Sequence, residues 1–180
     1  MTTTCAPDTR THFSHNSTLS PSHPIAASEA PPEKVRPRIL CVDDDPDLLQ
    51  CIAMRLSDYD VEVDRAYFGM QGFWEAVTAH PDLILMDLMM PNGDGRFVLN
   101  SLRNNAATAS TPVIILTGMR DPQLKHQFFN LGANQFLRKP IASDDLLHEI
   151  SRFVNLQPKH PQSNTELPPP KCLRFRKNRQ

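Results

Sequence analysis

The stretch Leu83-Ile84-Leu85-Met86-Asp87-Leu88-Met89-Met90-Pro91-Asn92-Gly93-Asp94-Gly95 decides the fold. Its opening apolar run has the length of a short buried strand and falls well short of a helix. A carboxylate closes the run, and Pro91, Gly93 and Gly95 then turn the chain. An acid at the carboxyl end of a buried strand stands where open α/β sheets build their sites. Upstream, Arg38-Ile39-Leu40-Cys41-Val42 repeats the arrangement and runs into Asp43-Asp44-Asp45. Two strand ends of one parallel sheet can bring these acids together. Clustered carboxylates repel each other unless positive charge lies between them, and a hard divalent cation such as Mg2+ suits oxygen ligands.

Outward from these two runs, residues 37–156 alternate apolar runs with helical patterns, which signals βα units on a parallel sheet. Strands are predicted over 38–42, 59–66, 83–86, 112–116 with Thr117 at the end, and 135–137. Pro46 suits a first helical turn, and Leu48, Leu49, Ile52, Ala53 and Leu56 follow at helical spacing. A helix over 72–79 is shortened by Gly69 and Gly72. Further helices are predicted over 95–104 and 122–131, the latter stopped by Gly132. Ser143 is read as the cap of a last helix, with Asp144 and Asp145 at its positive end. Its buried stripe is Leu146, Leu147, Ile150, Phe153 and Val154. Five strands and five helices fit a doubly wound α/β sheet. Cys41 and Cys51 sit in buried patterns, and Trp74 is expected to cover a helix–sheet seam.

The flanks differ in composition. Residues 1–36 are rich in Pro, Ser and Thr, with too few large apolar side chains to offset ordering entropy, and are read as a disordered tail. Residues 157–180 are Pro-rich and then basic, ending in Lys171-Cys172-Leu173-Arg174-Phe175-Arg176-Lys177-Asn178-Arg179-Gln180. These flanks hold most of the 17 prolines, more than a compact fold of this size would carry. The formal net charge of −1 gives no global field toward nucleic acid or an anionic membrane. No apolar stretch approaches the roughly 20 residues of a membrane span. The N-terminus lacks an apolar signal core, and the 4 cysteines have no metal-ligand spacing, so a reducing cytoplasm is expected.

In the expected fold, the carboxyl ends of strands one, three, four and five deliver an acid pair, Asp87, Thr117 and Lys139 to one crevice. This set suits phosphoryl transfer to a carboxylate. Asp87 would attack in line. Lys139 and the Thr117 hydroxyl would meet the equatorial oxygens. Gly118 leaves room beside the site, and Pro140 restricts the lysine backbone and permits a cis bond.

Four segments, in order, carry a family resemblance: Ile39-Leu40-Cys41-Val42-Asp43-Asp44-Asp45-Pro46, the Asp87 stretch, Pro112-Val113-Ile114-Ile115-Leu116-Thr117-Gly118, and Phe136-Leu137-Arg138-Lys139-Pro140-Ile141. The chain from about 37 to 153 resembles the receiver domain of two-component response regulators. The resemblance implies a flavodoxin-like sheet of strand order 2-1-3-4-5. It implies Asp87 as phospho-acceptor and Asp43 and Asp44 as the metal pair that holds Mg2+ together with Asp87 and the Met89 backbone carbonyl. Thr117 becomes the switch hydroxyl, Lys139 the phosphate partner and Phe136 the switch aromatic. The donor is expected to be a histidine kinase or phosphotransfer protein. Output follows by repacking of the helix four, strand five and helix five face toward a downstream protein, or by a phosphorylation-dependent homodimer. The chain would then be a regulator that catalyses only its own phosphorylation and dephosphorylation, and not an enzyme. No output module is patterned after Phe153, so output is expected through protein contact. Met89 and Met119 stand where quickly dephosphorylating regulators often carry polar, water-guiding side chains, which leads to an expected long-lived phosphorylated state.

Three alternatives compete. Asp43-x-Asp45 with Thr117, Lys139 and Asp144-Asp145 superficially resembles haloacid dehalogenase-type phosphatases, with Asp43 as nucleophile. Pro46-Asp47 after the pair opposes that reading, as does Asp144-Asp145 opening a helix, and it leaves Asp87 without a role. An unphosphorylated scaffold is the second alternative, opposed by the intact residue set. The third is nucleic-acid binding through the basic residues 171–179, which counterion release would make salt-dependent.

Overall fold

The computed structural model describes residues 36–90, 93–119 and 121–159. The readings of 1–35 and 160–180 as tails lie outside the described residues. Five strands form one parallel sheet: β1 (Arg38–Val42), β2 (Glu62–Ala66), β3 (Leu83–Met86), β4 (Val113–Thr117) and β5 (Gln135–Arg138). Their order is β2-β1-β3-β4-β5, as expected. The helices are α1 (Pro46–Leu56), α2 (Gly69–Ala79), α3 (Gly95–Asn104), α4 (Pro122–Asn130) and α5 (Ser143–Ser151). A two-residue antiparallel ladder pairs Met89–Met90 with Gly93–Asp94.

The side-chain alternation of each strand divides the core into two layers. Ile39, Cys41, Leu83, Leu85, Ile114 and Leu116 point to one face, where α1 and α5 cover them. Leu40, Val42, Ile84, Met86, Val113 and Ile115 point to the other, under α2, α3 and α4. β3 and β4 are buried along their whole length. Burial on both faces is why they read as unbroken apolar runs rather than as alternation.

Local chemistry sets the helix ends. Asp45 caps α1, accepting from Asp47 N–H at 3.0 Å and Leu48 N–H at 3.2 Å. Arg103, in the last turn of α3, gathers carbonyls from two loops. It donates to Gly132 O at 2.9 Å and Thr111 O at 2.9 Å, and to Asn134 Oδ1 at 3.1 Å. Gly132 has φ +96, and a Cβ there would stand 2.9 Å from Arg103 Nε. The residue that ends the α4 region is therefore glycine for two reasons, handedness and space.

Several expectations need correction. Strand β2 begins at Glu62, not Tyr59, because Tyr59 pairs instead with Pro158 in an isolated antiparallel bridge. Asp60 N–H also donates to Gln157 O and Lys159 N–H to Asp58 O, so the chain beyond 156 is laid beside the start of this strand. Helix α2 starts at Gly69, three residues before the predicted start. Its glycines act as spacers: a Cβ on Gly72 would lie 2.7 Å from both Val42 methyl carbons. Because Gly69, Gly72 and Ala76 form the inward face, Trp74 turns outward and is 60% exposed. Ser143 opens α5 but does not cap it; the cap position is Ala142, with no side-chain hydrogen bond. Cys41 is buried as read, whereas Cys51 is half-buried. Among the described residues, no helix is long and apolar enough to cross a membrane.

Candidate functional site

Register builds the site. Val42 of β1 pairs with Met86 of β3, so the residues that follow, Asp43 and Asp87, emerge side by side at the carboxyl edge. Asp43 N–H donates to Ala66 O at 3.0 Å and Asp87 N–H to Val42 O at 2.9 Å, which fixes both backbones. On the other side, Thr117 pairs with Arg138. Lys139 is the next residue, and its N–H donates to Thr117 O at 2.8 Å. The Lys139–Pro140 bond is cis.

The side chains converge. Asp43 and Asp87 are 4% and 7% exposed, and Thr117 is fully buried. Asp44 is exposed. One carboxylate oxygen from each of Asp43, Asp44 and Asp87 lies within 4.8 Å of the other two. Lys139 Nζ donates to Asp43 Oδ2 at 2.5 Å and to Asp87 Oδ2 at 2.8 Å. The remaining oxygens are also engaged. Asp43 Oδ1 accepts from Asp45 N–H at 3.0 Å. Asp87 Oδ1 accepts from Leu88 N–H at 2.6 Å and Met89 N–H at 3.2 Å. Thr117 Oγ1 accepts from Met119 N–H at 3.4 Å. Beside it, a Cβ on Gly118 would meet nothing within 4 Å, so there is open space at this point as expected.

Burial pushes the Asp43 carboxyl up to about 6, against the opposing pull of Lys139. Burial also works against the Lys139 charge, yet the joint attraction of Asp87 and Asp43 leaves the ammonium above its ordinary value. Burial, with Asp43 nearby, pushes the Cys41 thiol up to about 12, which keeps it neutral and out of metal chemistry.

The donor set fits a hard cation. Three carboxyl groups face one ammonium, an acidic excess that a divalent ion would balance, and every donor is oxygen. The structure thus brings together Asp43, Asp44, Asp87, Thr117 and Lys139. Met89 opens the short ladder just after Asp87, its side chain 60% exposed. Phe136 stands apart from the acids, half-buried on the α4 side of β5, opposite Ile115. The sequence reading missed the double contact of Lys139, which it had assigned to phosphate alone. A lysine next to two sheet-edge carboxylates is the available signal, but its reach across 96 residues of chain is not written in spacing.

The profile of the response regulator receiver domain matches residues 39–151. Over 127 residues the chain is 36% identical to the DNA-binding dual master transcriptional regulator RpaA of Synechocystis, covering 71% of this chain and 53% of that protein. It is 32% identical over 121 residues to hybrid signal transduction histidine kinase D of Dictyostelium discoideum, covering 67% of this chain and 8% of that protein. Among solved structures, chemotaxis protein CheY4 of Vibrio cholerae superposes with a TM-score of 0.63 at 28% identity, covering 67% of this chain and all of that one. The chain belongs to the response regulator receiver family. Such receivers are phosphoryl-accepting signalling domains of two-component systems; they bind Mg2+ at an acidic pocket and interact with histidine kinases or phosphotransfer proteins. The chain spans about half the length of regulators such as RpaA, of which it covers 53%.

Proposed function

We propose that Asp87 is the phospho-acceptor of a Mg2+-dependent phosphorelay step, within a receiver domain spanning 37–156. The observation that carries this reading is the Lys139 ammonium held between Asp43 and Asp87, with the third acid, Asp44, alongside. A carboxylate oxygen of Asp87 attacks the phosphorus of a phosphohistidine on a histidine kinase or phosphotransfer protein. The O–P bond forms as the N–P bond breaks, and the imidazole leaves with its electron pair. Asp43, Asp44 and Asp87, with the Met89 backbone carbonyl, are the groups that would hold Mg2+. Bound there, the ion would offset the charge of the incoming phosphoryl oxygens.

Lys139 has a second task in this reading. Its ammonium leaves Asp43 and follows the phosphoryl group on Asp87, with no loss of ion pairing. The Thr117 hydroxyl releases Met119 N–H and donates to another phosphoryl oxygen. These shifts sit on β4 and β5, whose outward continuation is the α4, β5 and α5 face. Phe136 on β5 is the aromatic that would repack there, changing the surface offered to a downstream protein or a second phosphorylated copy.

The phosphatase alternative required Asp87 to be idle, whereas it is tied to Lys139 and to two backbone N–H groups. Incubation with a small phosphodonor and Mg2+, followed by peptide mapping, tests the proposal. Label is expected on Asp87 and is lost in Asp87→Asn. Label elsewhere, or turnover of a phosphate ester that needs Asp43, overturns it.

A further inference from the structure

Helix α2 presents an apolar face that the phosphoryl-accepting site does not use. Phe68 at its N-cap is 51% exposed, Met70 40% and Trp74 60%, and Tyr67 just before is 44% exposed. Met70 and Trp74 are four residues apart on the helix and therefore neighbours on its surface. Trp74 packs edge-on against Phe73, with ring centroids 5.4 Å apart. In the whole helix, Glu75 is the one charged residue. Aromatic and Met enrichment with charge depletion is the composition of an interface core, and exposed Trp is a preferred anchor.

The size of the patch selects the occupant. Tyr67, Met70 and Trp74, each about half exposed and at i, i+3, i+7 spacing, offer on the order of 300 Å². A stable protein–protein contact needs about 800 Å² on each partner. The face is therefore too small for a durable second copy and about right for a short peptide. A tethered peptide also benefits from an effective concentration in the millimolar range.

The chain carries such a peptide. In Leu167-Pro168-Pro169-Pro170, outside the described residues, the first proline is nine residues beyond Lys159. Consecutive prolines favour the polyproline II conformation, which docks on aromatic surfaces at little entropic cost. The last described residues end in the right place, since Lys159 N–H is bonded to Asp58 O at the entry to β2. Tyr67 stands at the exit of the same strand, also nine residues from Asp58. Nine residues reach about 30 Å when extended, so the linker can cover the path that β2 itself takes. Charge agrees. The patch adjoins the acidic crevice through Ala66, whose carbonyl holds Asp43 N–H. The prolines are followed by Lys171, Arg174, Arg176, Lys177 and Arg179, the complement of the exposed Asp44 beside it.

We propose that the segment Leu167-Pro168-Pro169-Pro170 of this chain docks on the α2 face formed by Met70 and Trp74, with Tyr67 three residues before Met70, placing the basic residues after it beside the acidic crevice.

Trp74 is the single tryptophan of the chain, so its quenching by acrylamide reads the contact directly. The full chain is compared with a full-length variant carrying Pro168→Ser, Pro169→Ser and Pro170→Ser, changes outside the described residues. With millimolar affinity and millimolar effective concentration the face is about half covered, so the variant should quench about twofold more readily. A synthetic peptide spanning 165–177, added to the variant, should restore protection, and a peptide spanning 18–33 should not. Equal quenching of the two proteins overturns the proposal. Protection that survives the substitutions and grows with protein concentration assigns the face to a second copy and overturns it too, as does protection by the 18–33 peptide.

Discussion

Lys139 and Asp43 lie 96 residues apart in sequence, yet their side chains meet at 2.5 Å, and the same ammonium reaches Asp87 at 2.8 Å. The lysine thus holds together two buried carboxylates that would otherwise repel each other. A metal ion would compete with it for the same oxygens. Lys139→Met should therefore tighten Mg2+ binding, by about tenfold or more given the strength of a charge–charge contact at this range. The same variant should lose several kcal/mol of metal-free stability near neutral pH, because it leaves buried charges uncompensated. Calorimetric titration and urea unfolding measure the two effects, and unchanged Mg2+ affinity would contradict the competition.

Asp43 sets a pH dependence. Its folded value of about 6 lies above the ordinary 3.8, so its contribution to stability is fully present below about pH 4 and is lost as pH rises through about 6. Without metal, Asp43→Asn should be more stable than the parent at pH 8, by on the order of 2–3 kcal/mol, with the difference vanishing toward pH 4. Mg2+ requires the ionised form. Its affinity should be nearly flat above about pH 7 and fall, approaching tenfold per unit, below about pH 6. Binding isotherms across this range check the slope.

Gly72 should resist replacement. A Cβ at 2.7 Å from both Val42 methyl carbons must move a buried β-branched side chain at the root of the acid site. Gly72→Ala gains helix propensity but should still lose about 1–2 kcal/mol through overpacking. Combining it with Val42→Ala should recover part of the loss relative to the sum of the two single changes. Strict additivity in thermal unfolding would show that the contact is not the cause.

The phosphorylated state should be long-lived. Met89 is exposed beside Asp87, and Met119 is half-buried beside Thr117. Neither thioether can orient an attacking water as a carboxylate or amide does. Met89→Glu should speed loss of the phosphoryl group, followed by phosphate release in excess Mg2+. Decay of the parent within seconds would end this expectation.

Much of the fold was legible because its central strands are buried on both faces and so announce themselves as apolar runs. β1 and β3 are readable to the residue, and as strands of one parallel sheet their ends allow Asp43 and Asp87 to be neighbours. Elsewhere the signals misled. Gly69 and Gly72 look like helix breakers, but here they let α2 approach Val42, a tertiary reason that sequence does not display. Trp74 faces outward as a consequence. Ser143 has the chemistry of a cap, yet the chain enters α5 one residue earlier. Tyr59 has strand propensity, but its pairing is taken by Pro158, a partner 99 residues away in a proline-rich segment. The Lys139 bridge depends on side-chain reach, which strand patterns leave open.

The backbone bond from Lys139 N–H to Thr117 O makes these two residues a single jaw, clamped by the sheet rather than by the loops. Between them β5 stays paired to β4, while α4 packs outside that clasp. The exposed positions of α4 can therefore be remodelled for new recognition without altering the bite, and grafting the outer face of α4 between related proteins should change what they bind while leaving the grip in place.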